Sequence, residues 1–114
     1  MKSVLLEKSA SLALEIIKYY QWLSTERKEY VMSKQLLRAG TSIGANINEA
    51  NYAASKADFI NKMQIAVKEA AESEYWIFLL EKSGYFTQEF ESIKSLLDEV
   101  KRMLVSTLNT AKSK

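Results

Sequence analysis

The sequence predicts an all-α fold, an antiparallel up-down four-helix bundle, and three observations support this. Proline is absent and glycine occurs only three times among 114 residues, so long helices can run without forced breaks. Apolar residues recur every three or four positions along four segments. Short connections join these segments, which favours antiparallel neighbours. We expect residues 1–114 to form one domain that oligomerises.

The first helix is predicted at about residues 4–24, and a charged run at residues 26–29 connects it to a second helix at about residues 30–53. In the first helix the inward stripe consists of Leu6, Ala13, Ile16, Tyr20 and Leu23, widened by Leu5, Leu12 and Tyr19. In the second helix small and apolar residues step by four and three, as in a heptad seam, at Leu36, Gly40, Ile43, Ile47, Ala50 and Ala54.

The third and fourth helices are predicted at about residues 56–83 and 88–111. Ser55 resembles an N-cap with Asp58 in the acidic first turn, and Gly84 is well placed as the C-terminal stop. Thr87 is expected to start the fourth helix. The third helix faces inward with Phe59, Met63, Ala66, Ala70, Ser73, Ile77 and Leu80. The fourth does so with Phe90, Ile93, Leu97, Val100, Leu104 and Ala111.

Composition excludes several classes of function. Cysteine and histidine are both absent, which removes disulfides, the usual zinc and di-iron sites, Ser-His-Asp triads and Cys-His dyads. We therefore expect no catalytic residues, no metal and no cofactor. No stretch approaches ~18 uncharged apolar residues, so a membrane span is not predicted and a cytoplasmic setting is the default. A net charge of +2 does not by itself indicate a nucleic-acid binder.

The middle of the second helix is unusual, because residues 39–48 carry no charge and include two glycines. Each glycine costs about 1 kcal/mol relative to alanine, so close approach of another helix is expected in return. Opposite the seam, Arg38, Ser42, Ala45 and Glu49 share a back face with few charges. Either this helix is central to its own fold, or the back face packs on a neighbouring subunit.

The third helix contains Tyr-Trp-Ile-Phe-Leu-Leu at residues 75–80, which is apolar around the full circumference. One bundle seam cannot bury all six side chains, so an additional protein surface is implied. We therefore predict that Tyr75, Trp76 and Phe78 form an oligomer interface. A ligand groove is the alternative.

Glu69 and Glu72 lie on the helical stripe of Trp76, so we expect at least one of them to be partly buried. A buried carboxylate needs a partner, which Arg38, Lys62 or Lys68 could provide. An acid–base pair, as in glycosidases, is the less favoured interpretation because no cleft is evident. The predicted polar cluster at helix or subunit contacts consists of Arg38, Ser42, Asn46, Glu49 and Glu72.

Three segments of the chain closely resemble the four-helix bundle proteins encoded in 23S ribosomal RNA intervening sequences. The segments are SKQLLRAGTSIGANINEA at residues 33–50, SKADFINKMQIAVKEAAESEYW at residues 55–76, and Gly84-Tyr85. The residues that fall on the family pattern are Ser42, Asn46, Glu49, Phe59, Ala66 and Glu72. Many relatives have Gly in place of Ala50 and Gly-Ser in place of Lys68-Glu69, which indicates a subgroup.

The resemblance implies a homopentamer with no assigned enzymatic activity. Related proteins are accessory factors of diversity-generating retroelements, in which a basic pentameric barrel binds nucleic acid and a reverse transcriptase.

Two functional hypotheses follow. In the first, the protein is an RNA- or nucleoprotein-binding accessory factor whose phosphate contacts are Arg27, Lys28, Lys34, Arg38, Lys101 and Arg102. In this case Trp22, Tyr30 and Tyr52 are candidates for stacking on bases. In the second, it is an assembly scaffold for a protein partner, with no role for nucleic acid.

Overall fold

The computed structural model describes residues 3–114. Met1 and Lys2, which belong to the predicted domain of residues 1–114, lie outside the described part. The chain forms helices α1 (Val4–Thr25), α2 (Met32–Ala50), α3 (Lys56–Lys82) and α4 (Ser92–Lys112), with a single 3₁₀ turn, Gln88–Phe90, ahead of α4. No strand occurs among residues 3–114. The predicted all-α class with four helices is confirmed.

Each helix packs against the next one in the sequence, and α4 packs against α1. Residue numbers run in opposite directions across these contacts. Between α1 and α4, for example, Lys8 pairs with Glu99 at 3.0 Å, and Ser92 donates to Glu15 at 2.6 Å. The same reversal occurs between α2 and α3 and between α3 and α4. The four helices pack around one core.

The inward stripe of α1 differs from the prediction. Its buried residues are Leu5, Ser9, Leu12, Ile16, Tyr19 and Leu23. Leu6, Ala13 and Tyr20 are only half-buried, so the predicted stripe was rotated toward the surface. The reason is that α2 approaches α1 from the side of Ser9 and Ile16.

The seams of the other three helices follow the predicted spacing closely. In α2 every predicted position inside the helix is buried, whereas Ala54 lies beyond the helix and is exposed. In α3 only Phe59 is less than fully buried. In α4 Leu108 joins the core, and Ala111 is half-buried. Phe90, predicted inside the fourth helix, lies instead in the 3₁₀ turn.

The two glycines of α2 face α1. A Cβ atom on Gly40 would lie 2.4 Å from Cδ1 of Ile16, and one on Gly44 would lie 3.3 Å from Oγ of Ser9. Both distances are shorter than comfortable van der Waals contact, so larger residues would push the helices apart. Close packing of α1 within the same chain therefore explains the glycines.

Helix α2 begins later and ends earlier than the predicted residues 30–53. Its start is set by the Glu29 carboxylate, which accepts hydrogen bonds from the backbone N–H groups of Val31, Met32 and Ser33 at 3.1, 3.0 and 2.8 Å. A carboxylate in this position satisfies donors that have no partner inside the helix. At the other end, residues 51–55 turn the chain back toward α3.

The start of α3 matches the prediction, because Ser55 Oγ accepts from the Asp58 N–H at 3.1 Å. Gly84 follows α3 with a positive φ of 87°, as expected for a glycine stop. Thr87 does not cap the fourth helix as expected. Its side chain makes no capping bond and its hydroxyl is buried without a partner. The 3₁₀ turn intervenes, and α4 begins at Ser92.

Candidate functional site

An ion-pair cluster lies at the surface between α2 and α3. The Arg38 guanidinium contacts Glu69 at 3.3 Å and also contacts Glu72. Glu72 accepts a further hydrogen bond from the indole Nε1 of Trp76 at 2.9 Å. The Trp76 hydrogen bond, together with Arg38, holds the pKa of Glu72 below its ordinary value. The Glu72 side chain is 37% exposed, so the pair sits in partial contact with solvent.

The other members of the predicted polar cluster are held locally. Ser42 Oγ donates to the Arg38 carbonyl at 2.7 Å, and Asn46 Nδ2 donates to the Ser42 carbonyl at 2.8 Å. Glu49 lies three turns along α2 from Arg38 and pairs with Lys62 of α3 at 2.9 Å. The structure thus brings Arg38 and Glu72 together but separates Glu49 from both.

The pair Glu69 and Glu72 is poorly arranged for acid–base chemistry. A general acid at neutral pH needs a raised pKa, whereas Arg38 and Trp76 lower that of Glu72. Among residues 3–114, no three metal-binding side chains come together in one group. The cluster therefore has the features of a structural link between two helices.

Four of the six candidate phosphate-binding residues are engaged within the chain. Besides Arg38, Lys101 pairs with Glu74 at 2.8 Å and Arg102 pairs with Asp98. Arg27 donates to the Gly84 carbonyl at 3.3 Å, and its guanidinium lies over the rings of Trp22 and Tyr85, 5.6 and 4.6 Å from their centroids. Three of these four cations are therefore already paired with carboxylates, and the fourth, Arg27, is held against a carbonyl and two aromatic rings.

The remaining two cations, Lys28 and Lys34, lie on either side of the junction between the α1–α2 connection and the first turn of α2. This junction, here called the basic loop, consists of Lys28, Tyr30, Val31 and Lys34. Within residues 3–114 neither lysine forms an ion pair. Lys28 has a positive φ of 56°. Tyr30 is 52% exposed and Val31 is 73% exposed between the lysines. Tyr52, which like Trp22 and Tyr30 is a candidate for stacking on bases, lies after α2 and is also highly exposed.

The predicted aromatic interface divides into two parts. Trp76 is half-buried against the core and bonded to Glu72, with Tyr75 stacked edge-on at 5.3 Å between ring centroids. Tyr75 and Phe78 project outward and are 54% and 52% exposed. Trp76 therefore belongs to the α2–α3 contact, and only the other two residues are free to meet another protein.

Sequence reasoning missed the longer surface to which Tyr75 and Phe78 belong. Along the outer side of α3, uncharged residues recur at helical spacing to form a surface here called the α3 outer strip, which consists of Ile60, Gln64, Val67, Ala71, Tyr75 and Phe78. Ile60 and Val67 are half-buried and Ala71 is exposed. A second series of four- and three-residue steps beside the core seam was the signal that could have identified it.

Residues 1–106 match the family described as 23S rRNA-intervening sequence protein. The chain belongs to this family. A crystal structure of a family relative, described as a protein of unknown function from the S23 ribosomal protein family of Bacteroides thetaiotaomicron, is 51% identical. The two superpose with a TM-score of 0.90, covering 93% of this chain and 96% of that one. None of the curated proteins matches the chain.

Two further features of this 23S rRNA-intervening sequence family member concern ligands and membranes. A groove of about 330 Å³ opens between α3 and α4 beside Phe78. Each charged residue that lines the groove has an ion-pair partner, Glu81 with Lys94 inside the lining, and Glu74 and Asp98 with Lys101 and Arg102 of α4. Among residues 3–114, no helix combines the length and apolar character needed to cross a bilayer.

Proposed function

We propose that this family member is a non-enzymatic assembly protein. In this proposal the antiparallel up-down bundles associate with further copies of themselves through the α3 outer strip, and the resulting oligomer is a scaffold for a partner. The observation that carries the proposal is the exposure of Tyr75 and Phe78 on an uncharged helix face. Contiguous exposed apolar surface of this kind is typical of protein interaction sites.

Burial of Tyr75 and Phe78 alone does not supply enough free energy for a stable oligomer. Fully burying a large apolar side chain contributes about 1.5–3 kcal/mol, so covering the exposed halves of Tyr75 and Phe78 contributes about 1 kcal/mol each. Association costs at least ~4 kcal/mol in lost translation and rotation. The two aromatic residues therefore need the rest of the strip and a complementary surface to hold a stable oligomer.

The solution mass tests this proposal. The resemblance to pentameric relatives leads us to expect a particle of about five times the 13.0 kDa chain mass by light scattering. Ala71→Glu, which places a charge on the exposed middle of the strip, should lower that mass. Ser106→Glu, on the exposed outer side of α4, is the matched control and should leave it unchanged. A wild-type monomer at all concentrations would overturn the proposal.

The basic loop favours a second candidate function, RNA binding. Lys28 and Lys34 are the candidate cations without an intramolecular partner in the described chain, and Tyr30 offers an exposed ring between them. Contacts of this type are to phosphates and stacked bases, so they have little sequence preference and weaken steeply with salt.

A gel-shift titration against salt tests the RNA candidate. Lys28→Glu combined with Lys34→Glu should weaken binding to all RNA sequences alike and flatten the salt dependence. Lys101→Glu combined with Arg102→Glu is the control, because both residues are already paired, and it should change binding less. Absence of any complex with structured RNA at low salt and micromolar protein would leave the scaffold as the better description.

A further inference from the structure

A second uncharged surface lies on the other side of the bundle, across the neighbouring helices α1 and α2. Helix α1 contributes a series that steps by four and three along its α2 side, formed by Leu6, Ala10, Ala13, Ile17, Tyr20 and Ser24. Helix α2 contributes an adjacent series formed by Leu37, Thr41, Gly44 and Asn48. We refer to these ten residues as the α1–α2 face. None of them is charged.

Part of the α1–α2 face is lined by small residues. Ala10 is exposed, and Ala13 and Gly44 are half-buried, next to the close contact of Gly44 with Ser9. Larger side chains, those of Leu6 and Ile17, stand on either side along α1. Small residues between two helices leave a shallow depression that a ridge of side chains on a third helix can fill.

The size of the uncharged surface fits a helix as its occupant. On α1 the uncharged positions continue from residue 6 to residue 24, which spans about 27 Å at 1.5 Å per residue. Across two adjacent helices, each ~10 Å wide, this gives on the order of 500 Å². This outline area is a little over half of the ~800 Å² that one partner buries in a standard complex.

The chain itself carries a matching helix surface. The α3 outer strip runs from residue 60 to residue 78, which is the same length as residues 6–24. None of its six residues is charged, and the Lys82 ammonium lies 5.7 Å from the centroid of the Phe78 ring. Two of its residues, Tyr75 and Phe78, are large and exposed, and the α1–α2 face contains the small residues Ala10, Ala13 and Gly44. The two surfaces therefore match in length and in their lack of charged residues, and the α3 outer strip carries the larger exposed side chains.

We infer that the α1–α2 face of one copy receives the α3 outer strip of the next copy. This inference rests on the proposed self-assembly and names the second half of the interface. Because the two surfaces lie on different helices of the same chain, the contact is head to tail. Each copy then uses one surface of each kind, and a series of such contacts closes into a ring when the rotation between neighbours permits.

A pair of charge insertions tests this arrangement. Ala10→Glu blocks the α1–α2 face and Ala71→Glu blocks the α3 outer strip. Both alanines are exposed within helices, so glutamate costs little helix propensity and each chain should fold, as circular dichroism would verify. We expect each variant alone to be monomeric by light scattering. Asn48→Glu provides a second block of the α1–α2 face at an exposed position.

Mixing the two variants gives the decisive measurement. An equimolar mixture of Ala10→Glu and Ala71→Glu retains one intact surface of each kind, so it should form a 1:1 heterodimer of twice the chain mass. If the mixture stays monomeric, or if Ala10→Glu and Asn48→Glu keep the wild-type mass while Ala71→Glu does not, the head-to-tail contact is wrong and self-assembly through α3 stands. If wild type is monomeric, the proposed function itself fails.

Discussion

Glu72 accepts hydrogen bonds from two different side chains, the indole of Trp76 and the guanidinium of Arg38. The sequence identified Arg38 as one of three possible partners for this carboxylate, and the structure selects it. The sequence led us to expect at least one of Glu69 and Glu72 to be partly buried, and both side chains are partly buried, 19% exposed for Glu69 and 37% exposed for Glu72. Exposure changes the energy involved, because solvent screens a surface pair far more than a buried one.

Glu72→Gln removes the negative charge but keeps the hydrogen bond to Trp76, because the amide oxygen can still accept from the indole. We expect Glu72→Gln to lower the free energy of unfolding by under ~1 kcal/mol at neutral pH. The lowered pKa means that this contribution is complete above the ordinary value of 4.5 and disappears as pH falls through the folded-state pKa. Wild type and variant should therefore converge in urea unfolding at acidic pH.

Asp98→Asn is the matched control for this experiment, because Asp98 also pairs with an arginine on the surface but bonds no tryptophan. Asp98→Asn should lower the free energy of unfolding by a similarly small amount and leave tryptophan fluorescence unchanged. A loss of several kcal/mol in Glu72→Gln would contradict the exposed position of the pair.

The connection between α1 and α2 is stabilised by a cap that the sequence did not indicate. Usual N-caps are Ser, Thr, Asp and Asn, whereas here the longer Glu29 side chain folds back onto three backbone N–H groups. The residue is only 9% exposed. Sequence reasoning assigned residues 26–29 to a simple charged connection, because a glutamate in a charged run looks like any solvated residue.

Removing the Glu29 carboxylate should destabilise the start of α2. Glu29→Ala leaves three donors without their acceptor, and we expect a loss of about 2 kcal/mol in the free energy of unfolding. Amide hydrogen exchange should accelerate at residues 31–33 first. Glu26→Ala, at the exposed end of α1, is the control and should change neither quantity. Unchanged exchange at residues 31–33 in Glu29→Ala would show that other acceptors replace the cap.

At the level of the whole molecule, the sequence predicted the all-α class and the core seams of α2, α3 and α4, because each has one clear series of four- and three-residue steps. Helix α1 was predicted less well for a physical reason. It carries apolar residues around more than half of its circumference, so periodicity alone could not separate the core side from the α1–α2 face. Pairing of Lys101 with Glu74 depends on the register between α3 and α4, which the sequence does not specify, whereas Asp98 and Arg102 already stand at the i,i+4 spacing of a pair within one helix.

Association linked to folding should make thermal stability depend on concentration. If only folded chains associate, the melting temperature of wild type should rise with protein concentration, by mass action. Calorimetry over a hundredfold concentration range would measure this. Ala71→Glu should melt at a temperature independent of concentration, and Ser106→Glu should follow wild type. A wild-type melting temperature that does not change with concentration would contradict self-assembly.

The order in which the helices pack has a consequence for folding rate. Three of the four helix contacts join elements that follow one another in the sequence, and only the contact of α4 with α1 joins the two ends of the chain. Helical proteins dominated by such local contacts fold within about microseconds to milliseconds. Two chains at micromolar concentration meet productively about once in 0.1–10 seconds. Each copy is therefore expected to be folded before it meets another, so assembly joins surfaces that already exist.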